Sequence, residues 1–332
     1  MSWDHICYPP AVRRKSNANG PRTVSIVGAG NLGTALASTL PLAGYRVKFI
    51  AVRRASGNRH ASSLARRLKV QLVTLGKHAL DTDIVWLAVP DDSIAQVART
   101  LAGTQNWKGR IVFHSSGALS SDELAPLREA GARVASVHPM MTFVRGTVPE
   151  MKNVAFAVEG DRHATRAARE IVERLGGEEF PIRKQNKVLY HAFGAFASPL
   201  VVALLASLEQ VGRAAGVRKR RVKRVIVPLL LQTLRNYLYG DAASAFSGPL
   251  IRGDVATVKK HLEALKVVPH AREVYVALAR SAVKNLPVRN RKALGAALTQ
   301  SAWIGSMKDS MEIVGDIISP ANEEEEWEAL RD

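Results

Sequence analysis

The stretch that decides the fold is Val27-Gly28-Ala29-Gly30-Asn31-Leu32-Gly33. It follows a run rich in β-branched residues, Thr23–Val27, and it opens a stretch with a helical pattern, Asn31–Ala43. A G-x-G-x-x-G pattern at a strand-to-helix turn is typical of a site that binds a dinucleotide. A glycine-rich turn that binds no ligand is the alternative interpretation.

Each glycine of the pattern has a separate physical role. Gly28 allows the tight turn, Gly30 lets the backbone approach a pyrophosphate, and Gly33 lets the helix pack closely on the strand. The first turn of the helix offers free N–H groups and the positive end of the helix dipole to the phosphates. We therefore expect the whole segment to bind the cofactor: Gly28, Ala29, Gly30, Asn31, Leu32 and Gly33.

Short apolar runs alternate with helical patterns from Thr23 to about Ile182. This alternation predicts an α/β domain with a doubly wound parallel sheet. The predicted strands are Thr23–Val27, Arg46–Val52, Val70–Thr74, Ile84–Val89, Arg110–His114, Arg133–Val137 and Asn153–Val158. The predicted helices between them include Asn31–Ala43, His60–Leu68 and one that opens at Asp91-Asp92.

Beyond Ile182 only helical patterns remain. We predict a basic tail over residues 1–22, a dinucleotide-binding domain over 23–183, an all-α domain over 184–320 for substrate binding and dimerisation, and an acidic tail over 321–332 that contains Glu323–Glu326. The predicted helices are Lys187–Ala215, Lys219–Gly240 with Pro228 inside it, Val255–Leu265, His270–Ala282 and Asn290–Leu298.

Composition narrows the class of protein. The 332 residues carry a net charge of +18, which attracts anions. The one cysteine, Cys7, excludes an intrachain disulfide and a metal site of paired cysteines, and it fits a reducing compartment. The first 22 residues lack the apolar core of a secretory signal.

The longest uncharged run, Ala192–Leu208, contains Pro199 and is shorter than the ~20 residues of a membrane span. We expect a buried core helix there, and a soluble cytoplasmic protein that does not contact a membrane.

The second strand ends in basic residues. Arg53 and Arg54 stand where an NAD-binding protein normally has an acidic residue for the ribose 2′-hydroxyl, and the chain has no acidic residue between His5 and Leu80. Arginines pair with phosphate through bidentate, charge-assisted hydrogen bonds, and the hydroxyl of Ser56 can add another. The sequence thus favours NADP over NAD. The alternative is that both arginines are surface charges.

The fourth strand leads into Ala88-Val89-Pro90. The carboxyl ends of parallel strands are where such sheets bind ligands, so these residues are predicted to contact the adenosine or nicotinamide half of the cofactor. For Asp91 we favour the role of helix cap over that of a ligand.

Several motifs together resemble a bacterial Rossmann-like family whose C-terminal half is a domain of unknown function (type 2520). This family is related to pyrroline-5-carboxylate reductases and β-hydroxyacid dehydrogenases. The segments that carry the resemblance are Val27–Gly33, Ala88–Ile94, His114–Leu119, Val137–Met140, Tyr190–Ala192 and Gly248–Asp254.

The resemblance implies NADP-dependent oxidoreduction and an all-α domain like that at the C-terminus of 6-phosphogluconate dehydrogenase. It also implies a homodimer formed through the helical half, and it names no substrate. Where the family tends to have an asparagine as a substrate contact, this chain has Ser198-Pro199, so substrate handling is expected to differ. The predicted substrate contacts on this helix are Tyr190 and Ser198.

Reduction of a C=O or C=N bond needs a proton donor beside the hydride acceptor. Lys187, Tyr190 and His191 occupy positions i, i+3 and i+4 of a predicted helix. His191 titrates near neutral pH, which suits a general acid. In related dehydrogenases a lysine on such a helix has this role, so Lys187 is the rival candidate. The alternatives are a solvated lysine and an interface histidine.

Two further strand ends and one turn offer substrate contacts. Ser115 and Ser116 follow the fifth strand and can bind a carbonyl oxygen or a carboxylate, or they form a turn or helix cap. His138, before Pro139 at the end of the sixth strand, is a candidate for substrate contact and catalysis. Arg252 either clamps an anionic substrate, with a dimer partner in reach, or pairs with Asp254, the predicted N-cap of the next helix.

Three functions compete at this point. The leading hypothesis is an NADP-dependent reductase of a small carbonyl or imine compound that can carry a carboxylate. The second is a non-catalytic NADP-binding redox sensor or scaffold. Nucleic-acid binding through the basic cluster Arg218–Arg224 is disfavoured, because no aromatic residues interleave with it and no binding motif surrounds it. A solvated helix face is the favoured interpretation of that cluster.

Overall fold

The computed structural model describes residues 22–144 and 146–299, in two compact units that meet in sequence between Pro199 and Leu200. The predicted acidic tail, almost all of the predicted basic tail and Cys7 lie outside the described residues. By its contacts the segment 184–199 groups with the first unit.

The first unit is built on one eight-stranded sheet of order β3-β2-β1-β4-β5-β6-β7-β8. Its strands are β1 (Thr23–Val27), β2 (Arg46–Val52), β3 (Gln71–Thr74), β4 (Ile84–Leu87), β5 (Ile111–His114), β6 (Arg133–Pro139), β7 (Ala155–Gly160) and β8 (Glu178–Pro181). Neighbouring strands run parallel except for β6 and β7, which are antiparallel. The predicted doubly wound α/β fold is therefore confirmed, with one antiparallel pair in it.

The antiparallel pair has a simple cause. A parallel connection needs a crossover that returns the chain to the starting edge of the sheet, and this crossover is usually a helix. The described part of the segment between β6 and β7 contains no helix. The chain therefore turns back directly at the end of β6.

Helices cover both faces of the sheet. They are α1 (Asn31–Thr39), α2 (Arg59–Leu68), α3 (Asp91–Ala102), α4 (Ala125–Glu129), α5 (Arg162–Arg174) and α6 (Lys187–Ala197), with 3-10 turns at Leu40–Ala43, Ser121–Leu124 and Lys184–Asn186. The central strand β4 is buried on both faces, which explains its continuous apolar sequence. Trp86 packs edge-on against Phe113 in the core, with ring centroids 5.2 Å apart.

The predicted helix Lys187–Ala215 is wrong as a single helix. It is divided at Ser198 into α6 and α7 (Pro199–Ala214). Proline has no N–H to donate and disfavours helical geometry in the residue before it, and Ser198 has φ −130° and ψ −80°. The regular helix is therefore interrupted at Ser198.

The second unit is helical, as predicted. It contains α7, α8 (Lys219–Tyr239), α9 (Ala242–Ala245), α10 (Pro249–Arg252), α11 (Val255–Ala264), α12 (Pro269–Asn285) and α13 (Arg291–Thr299), with a 3-10 turn at Leu265–Val267. Pro228 lies inside α8. The predicted N-cap is confirmed, because the carboxylate of Asp254 accepts a hydrogen bond from the N–H of Thr257. The core of this unit lies between α11, α12 and α13.

One prediction about burial is wrong. Among the described residues, one helical stretch is long and apolar enough to cross a membrane by length and composition alone: Lys184–Ala214, which contains α6 and α7. Only 6% of its apolar 18-residue window is buried. One such helix is weak evidence for a membrane span. The run Ala192–Leu208 is thus not a buried core helix.

Candidate functional site

The turn between β1 and α1 packs directly on β4. Gly28 has φ +104°, and a Cβ atom on it would collide with the carbonyl oxygen of Ala88. A Cβ on Gly33 would collide with the carbonyl oxygen of Gly28, whereas Gly30 has open space around it. Each of the three glycines therefore has the surroundings that its predicted role requires.

The N-terminus of α1 faces this turn. Its N-cap is Gly30, so no side chain caps the helix, and its first turn has no acidic residue. The side chain of Asn31 does not point back to the helix, because its Nδ2 donates to the carbonyl oxygen of Phe143 over 2.9 Å. Backbone N–H groups are thus available for an anion at a place where the helix dipole is positive.

The predicted phosphate-binding residues follow β2. Arg53, Arg54 and Ser56 are exposed there. The N–H of Ala55, between them, donates to the hydroxyl of Thr74 over 3.4 Å, which ties this loop to the end of β3. Two cations are therefore presented to solvent next to the glycine turn, because β1 and β2 are neighbouring parallel strands.

The segment after β4 lies beneath the glycine turn. Ala88 and Val89 are half-buried and contact Gly28, while Pro90 is the exposed N-cap of α3. Asp91 is the first residue of that helix, so the expectation that it is the cap is wrong. Its carboxylate instead accepts a hydrogen bond from the hydroxyl of Ser116 over 2.7 Å, because the Ser115–Gly117 segment passes beside the start of α3.

The two predicted serines after β5 already bind protein groups. The hydroxyl of Ser115 accepts from the indole N–H of Trp86 over 2.8 Å. The hydroxyl of Ser116 accepts from the backbone N–H groups of Ala118 and Leu119. Both side chains therefore shape the turn after β5.

Lys187 lies inside the first unit and is 1% exposed. Its Nζ atom donates to the carbonyl oxygen of Ser116 over 3.0 Å and to the hydroxyl of Ser136 over 2.7 Å. The hydroxyl of Ser136 in turn donates to the same carbonyl oxygen over 3.2 Å. One ammonium group thus joins α6, β6 and the turn after β5.

His138 forms a pair with Tyr190. Its Nδ1 atom lies 2.8 Å from the hydroxyl of Tyr190, and the two rings meet edge to face. Tyr190 is buried and His138 is half-buried. Its other ring nitrogen, Nε2, has no hydrogen-bond partner in the described part of the chain and lies beside Gly117.

His191 lies next to this pair and is exposed. Its ring centroid is 6.3 Å from that of His138. A Cβ on Gly117 would lie 2.8 Å from Cδ2 of His191 and 2.9 Å from Nε2 of His138. The absence of a side chain at Gly117 therefore lets both imidazole rings approach the turn after β5.

Burial controls the protonation of this cluster. Burial, then the charges of Lys187 and His191, lower the pKa of His138 to about 4. Burial raises the pKa of Tyr190 to about 12. Burial lowers the pKa of Lys187, against the raising effect of Glu159 and Asp91. At neutral pH the pair consists of a neutral imidazole and a neutral phenol.

Two predicted contacts lie elsewhere. Ser198 is the residue at which α6 ends. Arg252 is the last residue of α10 in the second unit, and in the described structure its guanidinium lies beyond 4 Å of any carboxylate, including that of Asp254. Both remain predictions as substrate contacts. Among the described residues, no group of three or more His, Cys, Asp or Glu could hold a metal ion.

Three residues of the site were not predicted. Ser136 accepts from Lys187, His114 accepts the N–H of Ser116 at Nδ1 over 3.1 Å, and Glu159 accepts from the N–H and hydroxyl of Ser121. All three are buried polar residues in otherwise apolar strands. A polar residue at an inward position of a strand is a signal that sequence analysis can detect, because burial without a partner is costly.

Comparison with known proteins adds two domain assignments. Residues 12–139 match the model of the Rossmann-like domain, and residues 154–282 match the model of DUF2520, a domain of unknown function. The family resemblance predicted from the sequence motifs is confirmed for both parts. No curated protein sequence matches the chain.

Solved structures share the fold. A Bacteroides fragilis protein assigned as an NADP oxidoreductase is 20% identical with a TM-score of 0.66, over 79% of this chain and 97% of that one. A reductive aminase from Aspergillus terreus, solved with NADPH and ethyl-5-oxohexanoate, is 16% identical with a TM-score of 0.59, over 85% and 100%. A pyrroline-5-carboxylate reductase from Coxiella burnetii is 16% identical with a TM-score of 0.52, over 85% and 98%.

Acid should destabilise this protein partly through its buried histidines. His138 and His114, whose pKa burial lowers to about 3, bind fewer protons when folded than when unfolded. Their contribution is complete above pH 6.5 and is lost as the pH falls through about 4 for His138 and about 3 for His114. For His138 alone we expect a loss of about 1–3 kcal/mol between pH 7 and pH 4.

Urea unfolding at a series of pH values measures this loss. The variant His138→Gln cannot gain the proton, so its free energy of unfolding should fall less steeply between pH 6.5 and pH 4 than that of the wild type. The exposed His163 provides the control, and His163→Gln should keep the wild-type slope. Equal slopes in all three proteins would contradict the pKa assignment of His138.

Proposed function

Since the chain belongs to the proteins that join a Rossmann-like domain to a DUF2520 domain, we propose that it is an NADP-dependent oxidoreductase. Its proposed substrate is a small carbonyl or imine compound that can carry a carboxylate. The observation that carries this proposal is that the glycine turn and Arg53-Arg54 follow the parallel strands β1 and β2, while His138 lies near the carboxyl end of β6, which runs parallel to β5. They consequently lie along one edge of the sheet, where folds of this type bind their ligands.

The glycine turn fits a dinucleotide. Gly30 leaves room for a pyrophosphate, and the uncapped start of α1 supplies N–H groups to it. Arg53 and Arg54 supply two cations for a 2′-phosphate, and Ser56 a hydroxyl. Solved relatives of the fold carry NADPH or NADP⁺. When bound, this cofactor would supply or accept the hydride.

The protein itself must manage one proton. When the hydroxyl of Tyr190 donates a hydrogen bond to Nδ1 of His138, the ring proton of the neutral imidazole is on Nε2. Nε2–H can then protonate the nitrogen or oxygen of a substrate whose carbon receives the hydride, while the hydroxyl proton of Tyr190 moves to Nδ1 and the phenolate regains a proton from water. The ring of His191 lies 6.3 Å from that of His138 and can contact the same substrate, so His138 and His191 remain the proposed catalytic residues. The third predicted candidate, Lys187, is 1% exposed and donates to two protein oxygens.

The position of His138 favours an enzyme over a redox sensor. A sensor needs the phosphate site alone, whereas an enzyme needs a proton donor near the nicotinamide. His138 has an available Nε2 atom and a buried tyrosine behind it. We further propose a cytoplasmic location, because a chain with a single cysteine fits a reducing compartment.

We also propose a homodimer formed through the helical unit. The helix α8 exposes several large apolar side chains, and an exposed apolar surface of this kind normally binds another protein. These side chains are between 53% and 62% exposed: Val225, Leu229, Leu234 and Leu238. Reductases related to the family that the sequence resembles dimerise through their helical half, so a second copy of the chain is the proposed partner.

The arginines should set the choice of cofactor. Arg53→Ala and Arg54→Ala each remove a charge-assisted contact, so NADP should bind about 10–100-fold more weakly while NAD affinity stays unchanged. Calorimetric titration with both nucleotides measures this. Arg66→Ala, an exposed arginine in the last turn of α2, is the control and should keep wild-type affinity. If the wild type binds neither nucleotide, the proposed function fails; an equal loss for both nucleotides would exclude 2′-phosphate recognition.

Loss of the proposed proton donor should affect turnover more than binding. A screen of keto acids and cyclic imines, followed as NADPH oxidation, identifies the substrate to be used. With it, His138→Gln should lower kcat by about 10²–10⁴-fold with little change in KM. His163→Gln serves as the control. A wild-type kcat in His138→Gln would remove His138 from the mechanism without removing the cofactor site.

The dimer should depend on the exposed apolar side chains of α8. Light scattering should give twice the chain mass for the wild type and one chain mass for the double variant Val225→Glu/Leu229→Glu, whose two positions lie one turn apart on the same side of α8, because two carboxylates cannot be buried unpaired in the interface. Leu278, on α12, is 50% exposed, and Leu278→Glu is the control that should stay dimeric. A wild-type monomer at the concentrations used would refute the proposed assembly.

A further inference from the structure

The side chain of Lys187 is the meeting point of three segments of the first unit. Nζ donates to Ser116 at the end of β5 and to Ser136 within β6, and Lys187 itself begins α6. Because Ser136 also donates to the carbonyl of Ser116, the three groups form a closed triangle of hydrogen bonds. All three residues are buried, and each is at most 4% exposed to solvent.

Each of these segments carries a residue of the proposed proton path. Gly117, which the two imidazole rings approach, directly follows Ser116. His138 lies two positions after Ser136, so both side chains are on the same face of β6. Tyr190 is one turn after Lys187 on α6. A displacement of any segment would therefore change the distance between His138 and Tyr190 or between His138 and Gly117.

We propose that Lys187 is a positioning residue, which ties the turn after β5 and strand β6 to α6 and so holds His138 against Tyr190, and is not itself the proton donor. This inference rests on the proposed oxidoreductase function. Lys187 is 1% exposed and its ammonium group already donates to two protein oxygens, so it has no path to a substrate atom.

The charge of Lys187 acts on the same histidines. It contributes to the lowered pKa of His114 in β5 and of His138 in β6. On the other side, Glu159 in β7 and Asp91 in α3 oppose the effect of burial on the pKa of Lys187 itself. His191 on α6 is the remaining group whose charge acts on His138. The ammonium group that links these segments therefore also favours the neutral form of the His138 imidazole.

The variant Lys187→Met tests the role of the ammonium group in a chain that should still fold. Methionine has a similar length and no charge, and the bond from Ser136 to the carbonyl of Ser116 remains available. The NMR titration of the His138 imidazole, in the full chain without ligand, should show its pKa rise by about 0.5–1 unit. With the substrate from the screen, kcat should fall about tenfold at unchanged KM, and the His138 inflection of the pH–rate profile should move to higher pH.

A neighbouring lysine provides the matched control. Lys184 lies three residues earlier and pairs with Asp122 at the surface. Lys184→Met removes the same charge on the same segment without touching the triangle of hydrogen bonds. Its His138 titration and kcat should equal those of the wild type.

Each outcome decides the proposal. An unshifted His138 pKa in folded Lys187→Met overturns it, and so does a kcat loss of about 10²–10⁴-fold at every pH, which would make Lys187 the proton donor. If Lys187→Met does not fold, Ser136→Ala keeps the ammonium and removes one tie. That variant should lower kcat with an unchanged His138 pKa, and a wild-type kcat overturns the proposal. The NMR titration needs no cofactor, so failure of the oxidoreductase proposal would be seen separately, as absent nucleotide binding.

Discussion

The contact between the β1–α1 turn and the backbone of Ala88 fixes the geometry of the first unit. No side chain fits at Gly28 or Gly33, so the turn lies directly on β4 and the N-terminus of α1 is brought to the edge of the sheet. That edge is also where β2, β4, β5 and β6 end. The close packing at these two glycines thus places the N-terminus of α1, where an anion can bind, next to the carboxyl ends of four other strands.

The turn after β5 is held from several sides, and this rigidity has a chemical value. Trp86, His114, Asp91, Lys187 and Glu159 each hydrogen-bond a group between Ser115 and Ser121. A segment tied in this way cannot move independently of the sheet beneath it. Groups that must meet a substrate at a defined distance gain from such support, because small displacements reduce catalysis strongly.

Much of the fold was predictable because apolar patterns report burial directly. The bounds of β1 and β2 agree with the prediction, and β4 differs only at its end. The antiparallel direction of β7 was not predicted, although the lack of a predicted helix between the sixth and seventh strands could have indicated it. Strand β8, Glu178–Pro181, was missed because an edge strand with half-exposed polar residues lacks an apolar run.

The candidate site was likewise predictable only in part. The glycine roles follow from local geometry and could be read from seven consecutive residues. The partners of Lys187 could not, because Ser116 lies 71 positions and Ser136 51 positions away in sequence. A lysine at the start of an apolar helix indicates a functional position, but its acceptors are decided by how the strands are ordered in the sheet.

The bare backbone at Gly117 has an implication for mutational tolerance. Its φ is not in the left-handed region, so the constraint on this position comes from the two imidazole rings that contact it and not from the chain conformation. A saturation library should therefore accept many residues at Gly103, where an added carbon meets no atom within 4 Å, and accept very few at Gly117.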